Sequence, residues 1–134
     1  TGAEEEPRQA PVVLLVEDNR ELLRHLETCM GQAGWRLLAA GSAREAYREL
    51  DQRTPDAALL DYLLPDGNGL ELAVELRRRD AHAPIIIMTG AELAPEEEAV
   101  CEEYDFALLR KPFRVADMVS LLRARLSQPC GACA

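Results

Sequence analysis

Apolar positions along this 134-residue chain alternate between two spacings. "VVLLV" (12–16) contains no polar residue, as expected of a strand covered on both faces. Asn19 then stands where a helix starts, and Leu22, Leu23, Leu26, Met30 and Ala33 follow at helical spacing up to Gly34. "WRLLAA" (35–40) predicts a second strand. Ser42 is a candidate cap for the helix striped by Ala43, Ala46, Tyr47 and Leu50. The succession returns three more times. "AALL" (57–60) leads through a loop to a helix over about 69–79. "PIIIM" (84–88) precedes a helix over about 95–104, with Pro95 in its first turn. "FALL" (106–109) precedes a helix striped by Val115, Met118, Val119, Leu122 and Leu126.

Strands separated by helices imply a parallel sheet covered on both faces, with right-handed crossovers. The expected fold is α/β, doubly wound and flavodoxin-like: five parallel strands in order 2-1-3-4-5, helices on both faces. The domain is expected over residues 12–127. Residues 1–11, acidic and then flanked by Pro7 and Pro11, read as a linker, and residues 128–134 as a tail. Loops that follow the strands gather at one sheet edge, where such folds bind ligands.

Charge narrows the function. The net charge is −9, which disfavours direct nucleic-acid binding and binding to anionic membranes. The runs Glu4-Glu5-Glu6 and Glu96-Glu97-Glu98 read as solvated surface. No apolar run approaches the ~20 residues of a membrane span. No basic segment precedes an apolar stretch in the manner of a signal peptide, so a cytoplasmic location is expected. The chain begins Thr-Gly rather than Met and is expected to be part of something longer. Cys29 and Cys101 fall inside helical patterns as small core or boundary residues. Cys130 and Cys133 form a C-x-x-C that trails off after a proline, without the helix start of a redox motif or two further zinc ligands, and no function is expected of it.

The chemistry stands at the strand ends. After the first strand come Glu17 and Asp18, after the third Asp61, after the fourth Thr89, and after the fifth Arg110 and Lys111. In the order 2-1-3-4-5 the first and third strands are neighbours, which brings Glu17, Asp18 and Asp61 together. Three close carboxylates repel and raise one another's pKa. A hard divalent cation relieves that repulsion, and oxygen ligands with open positions suit Mg²⁺. Asp61 would then have metal on one side and Lys111 on the other. By strand alternation Arg110 points away from Lys111, into solvent.

At these residues the sequence resembles the receiver domain of bacterial response regulators, the phospho-acceptor half of two-component signalling. "LLVEDNRELL" is similar to that family's acidic strand end. "DYLLPDGNGLEL" resembles its phosphorylation loop, with Pro65 four residues and Gly69 eight residues after the aspartate. "IIIMTG" resembles its hydroxyl-bearing strand and "RKPF" its Lys-Pro strand end. The resemblance covers about residues 12–127. It implies that Asp61 is phosphorylated and that Glu17, Asp18 and Asp61 hold Mg²⁺, Asp18 more directly than Glu17, with the backbone carbonyl of Leu63 as a further ligand. It implies that Lys111 contacts the acid and then the phosphoryl group, that Thr89 hydrogen-bonds a phosphoryl oxygen, and that Lys111–Pro112 is cis. The implied partners are a histidine kinase or phosphotransfer protein, and an output domain or effector on the face of the fourth helix, fifth strand and fifth helix. A homodimer is a further option.

The implied activity is on the chain itself, phosphorylation and slow self-dephosphorylation, rather than that of an enzyme with a separate substrate. Leu63 and Ala91, at positions that tune phosphoryl lifetime in the family, carry no acid or amide to orient water. One departure stands out. The family usually has an aromatic residue three before the lysine, and here that residue is Leu108, with Phe106 two residues earlier on the same strand face. A readout through displacement of the fourth helix and fifth strand, or a partner that reads Leu108 differently, is expected instead. Two other readings compete: a Mg²⁺-dependent phosphohydrolase, whose aspartyl nucleophile would be expected after the first strand, and a degenerate receiver that only binds partners.

Overall fold

The computed structural model of the chain describes residues 10–80 and 82–127. Strands and helices alternate as β1 (Val12–Val16), α1 (Arg20–Gln32), β2 (Arg36–Ala40), α2 (Ala43–Gln52), β3 (Ala57–Asp61), β4 (Leu63–Leu64), β5 (Gly67–Asn68), α3 (Gly69–Arg79), β6 (Ile85–Thr89), α4 (Pro95–Tyr104), β7 (Ala107–Arg110) and α5 (Val115–Leu126). The main sheet runs β2-β1-β3-β6-β7, every pair parallel. This is the expected 2-1-3-4-5 order once the two-residue hairpin β4–β5 is set aside.

Strand pleat explains why the central strands lack polar residues. Leu14, Val16, Ala58, Leu60, Ile85 and Ile87 point to one face, under α2, α3 and α4. Val13, Leu15, Leu59, Ile86, Met88 and Ala107 point to the other, where Leu26 and Met30 of α1 and Met118 and Leu122 of α5 cover them. Helix starts follow their caps. The side chains of Asn19, Ser42 and Asn68 accept from the N–H groups of Leu22, Glu45 and Glu71. After α1 the chain turns at Gly34, whose φ of +94° favours glycine.

Three details differ from expectation. Asp61, Thr89 and Arg110 close their strands rather than follow them. The hairpin β4–β5 occupies what the sequence pattern predicts as loop, because two-residue strands are too short to show a period. Pro11, assigned to the linker, already joins the sheet edge, its carbonyl accepting from Arg36 N–H at 2.9 Å. Residues 1–9 of that linker and the tail with Cys130 and Cys133 lie outside the described residues. Cys101 is buried and Cys29 half-buried, as expected. No described helix is long and apolar enough to cross a membrane.

Candidate functional site

The parallel register assembles one edge of the sheet. Val16 lies beside both Ala40 and Leu60, which sets Glu17 next to Asp61. Asp61 pairs with Met88 and Thr89 with Arg110. Lys111 continues the ladder by donating its N–H to the Thr89 carbonyl at 2.8 Å. Side chains up to 94 residues apart in sequence thus face one another.

Glu17, Asp18 and Asp61 each offer a carboxylate oxygen, and the three atoms lie within 4.8 Å of one another. Glu17 and Asp61 are 1% and 6% exposed, while Asp18 is open to solvent. Lys111 Nζ lies 3.0 Å from Glu17 Oε1 and 3.3 Å from Asp61 Oδ2. Glu17 Oε2 accepts from the Asn19 N–H at 3.1 Å. The lysine is therefore shared between two buried acids. Glu17 has one oxygen on the lysine and one on the backbone, so it braces the site, and Asp18 is the acid that faces outward.

One cation cannot compensate two buried anions. Burial, and then the charge and hydrogen bond of Glu17, push the Asp61 carboxyl up to about 6, and Lys111 offsets only part of this. The sequence-based expectation gave repulsion as the cause, but loss of water is the larger one. Burial acts to lower the Lys111 pKa, yet its bond to Glu17 and the charges of Asp61 and Glu17 outweigh that and hold it above the usual value. The lysine stays charged. The donor set, three hard oxygens with an open side at Asp18, fits Mg²⁺.

A stability consequence follows by linkage. A carboxyl raised from 3.8 to about 6 binds its proton more tightly in the folded state. Its ionisation penalty is complete above about pH 6, fades between pH 6 and 4, and is absent below the unfolded value. Asp61→Asn should therefore stabilise the metal-free protein by about 1–3 kcal/mol at pH 7, with the gain vanishing near pH 4. Urea denaturation at the two pH values checks this, and a variant less stable than wild type at pH 7 would contradict it.

Thr89 is 5% exposed. Its hydroxyl donates to the Ala91 carbonyl at 2.9 Å and accepts from the Ala91 N–H at 3.1 Å. Leu63, two residues after Asp61, begins the hairpin and is 68% exposed. The Lys111–Pro112 peptide is cis, as the resemblance implied. Arg110 is exposed, with Glu92 at 3.8 Å.

Other residues that shape the site carry little local signal. A Cβ on Gly69 would stand 2.2 Å from the Asp61 carbonyl oxygen, so only glycine lets α3 start this close to the acid. Asp66, in the hairpin turn, accepts from the N–H groups of Ala43 and Arg44 at 2.9 and 3.0 Å, capping α2 from outside that helix. Those bonds hold its carboxyl below the usual range. Tyr62 donates its hydroxyl to Glu97 Oε2 on α4. That bond lowers the Glu97 pKa and raises that of Tyr62. Glu97, read from sequence as part of a solvated acidic run, thus has a specific partner. The signals available were the turn-forming Asp-Gly at 66–67 and the spacing of Gly69 from Asp61; nothing in the sequence pairs Tyr62 with Glu97.

Comparison with known proteins gives the family. The family described as "Response regulator receiver domain" matches residues 13–123. The virulence transcriptional regulatory protein PhoP of Salmonella typhimurium (strain 14028s / SGSC 2262) is 32% identical over 119 residues, which are 89% of this chain and 53% of that protein. The transcriptional regulatory protein PhoP of Escherichia coli (strain K12) matches with the same identity and coverage. The chain spans about half the length of these curated relatives. Among solved structures, the non-phosphorylated HemR receiver domain from Leptospira biflexa superimposes with a TM-score of 0.81 at 28% identity, covering 89% of this chain and 96% of that one. A CheY-like receiver domain protein from Methanospirillum hungatei JF-1 gives 0.81 at 22% identity, covering 87% and 94%, and shares the fold.

Proposed function

The chain belongs to the response regulator receiver domain family, and on that premise we propose that it takes a phosphoryl group on Asp61 from a histidine kinase or phosphotransfer protein in a Mg²⁺-dependent reaction. The modified domain then shifts conformation and regulates an output domain or effector through the α4–β7–α5 face. The observation that supports this reading most is the convergence of Glu17, Asp18, Asp61 and Lys111 at one sheet edge.

The chemistry needs little beyond positioning and charge. An oxygen of the ionised Asp61 attacks phosphorus, the bond from phosphorus to the donor's leaving atom breaks with its electron pair, and an acyl phosphate forms. Mg²⁺ held by Asp18, Glu17, Asp61 and the backbone carbonyl of Leu63 would supply positive charge to the transferring group. Lys111 is already within reach of Asp61 and would follow the added charge, about −1.5 to −2 near pH 7. Thr89 would turn its hydroxyl from the Ala91 carbonyl to a phosphoryl oxygen. Leu63 and Ala91 offer no side chain to orient attacking water, so the acyl phosphate persists. The chain acts on itself rather than on a separate substrate, and the cytoplasm is where such a phosphoryl donor would meet it.

Acetyl phosphate with Mg²⁺ tests this by intact mass. One phosphoryl adduct is expected, persisting well beyond seconds, and absent in Asp61→Asn or with the metal chelated. Uptake by Asp61→Asn, continuous turnover of acetyl phosphate, or no adduct on the wild type would each overturn the reading.

A further inference from the structure

No ring on the β7 strand is poised to move. Leu108 is 42% exposed and small. Phe106 is buried, stacked on Tyr104 at 5.7 Å, with the Arg77 guanidinium 5.6 Å from its centroid. The aromatic residue that joins the acceptor to α4 is instead Tyr62. Its N–H donates to the Met88 carbonyl and its carbonyl accepts from the Gly69 N–H, both at 2.8 Å, so its backbone is held rigidly beside Asp61. Its ring packs against the core cluster that contains Leu93 and Cys101, and its hydroxyl reaches Glu97. The other Glu97 oxygen accepts from the Ala94 N–H at 2.9 Å, and Ala94 has no side-chain oxygen to cap α4 itself. One carboxylate therefore holds both the first turn of α4 and the residue next to the acceptor. The intervening segment has a second tether at Thr89, through its two bonds to Ala91.

We propose that the Tyr62–Glu97 hydrogen bond is a latch that holds α4 in its unphosphorylated position, making Tyr62 a positioning residue for the phosphoryl-linked shift. The inference rests on Asp61 as the acceptor. When Thr89 turns to a phosphoryl oxygen it gives up its donation to Ala91, and the bond to Glu97 is then what resists movement of the 90–97 segment. Whatever favours the resting position weakens phosphoryl binding by the same factor.

Beryllofluoride with Mg²⁺, an analogue of the phosphoryl group, reads this out. Tyr62→Phe keeps the ring and removes the hydroxyl. It should bind the analogue about three- to tenfold more tightly than wild type, as loss of one hydrogen bond to a carboxylate allows. The same change in a Glu97→Ala background should have no further effect, since the partner is gone. Amide exchange of residues 96–98 without the analogue should be faster in Tyr62→Phe. General damage to the fold would weaken binding, not strengthen it. Wild-type binding combined with unchanged or weaker binding by Tyr62→Phe overturns the latch alone, as does a full Tyr62→Phe effect without Glu97. Failure of the wild type to bind the analogue overturns the acceptor assignment, and the latch with it.

Discussion

Replacing Lys111 by methionine is expected to cost about 2–4 kcal/mol of folding stability at pH 7 and to lower phosphoryl uptake about 10²–10³-fold. The stability loss arises because the lysine serves two acids. Glu17 is 1% exposed and Asp61 6%, and Lys111 Nζ is within 3.3 Å of both. Methionine fills similar space but leaves two neighbouring anions away from water with no cation between them. Breaking a fully buried pair costs somewhat more than this, but Lys111 is a quarter exposed and water screens part of the loss.

The pH dependence identifies the cause. In the wild type Lys111 acts to lower the Asp61 pKa. Without it the folded-state pKa rises further above 3.8, so the folded state gains protons as pH falls. The deficit of Lys111→Met should therefore shrink between pH 7 and pH 5, and added Mg²⁺ should restore more stability to the variant than to wild type. Denaturant titrations at both pH values, with and without the metal, measure this. A deficit that does not change with pH would mean that lost packing, not unpaired charge, is responsible.

Gly69→Ala is the second large effect. The new Cβ would stand 2.2 Å from the Asp61 carbonyl oxygen, 3.0 Å from its carbon and 3.3 Å from Tyr62 Cα. These are backbone atoms and cannot rotate aside as a side chain does. Nor can α3 retreat freely, because the Gly69 N–H donates to the Tyr62 carbonyl at 2.8 Å. We expect a cost of about 2–3 kcal/mol, together with impaired phosphoryl uptake because the acid itself is pushed. Gly31→Ala is the control: it lies in α1 with nothing within 4 Å of the added carbon, and should be neutral or stabilising by about 0.5–1 kcal/mol. Equal stability of the Gly69→Ala and Gly31→Ala proteins would show that the close approach relaxes at little cost.

Much of this molecule was legible before any coordinates. Unbroken apolar runs at 12–16 and 85–88 mark strands covered on both faces, and the stripes at 22–30 and 115–126 mark the helices over them. Burial acts on every second residue of a strand and every third or fourth of a helix, so it leaves a local trace. The same alternation put Glu17, Asp18, Asp61, Thr89 and Lys111 at one edge, since each directly ends or follows a strand. Strand ends were less exact, by one residue at Asp61 and Thr89, because the last ladder position need not be apolar.

Amino-acid order alone determined the alternation of elements, the edge where the polar groups gather and the family that they resemble. Tertiary structure decided how those groups are paired: Lys111 divided between Glu17 and Asp61, Asp66 capping a helix 23 residues away, and Tyr62 bound to Glu97 35 residues on. The physical reason is range. Periodicity records burial within a few residues, whereas a hydrogen bond or a glycine contact depends on separations of a few tenths of an ångström between segments that only the packed sheet brings together.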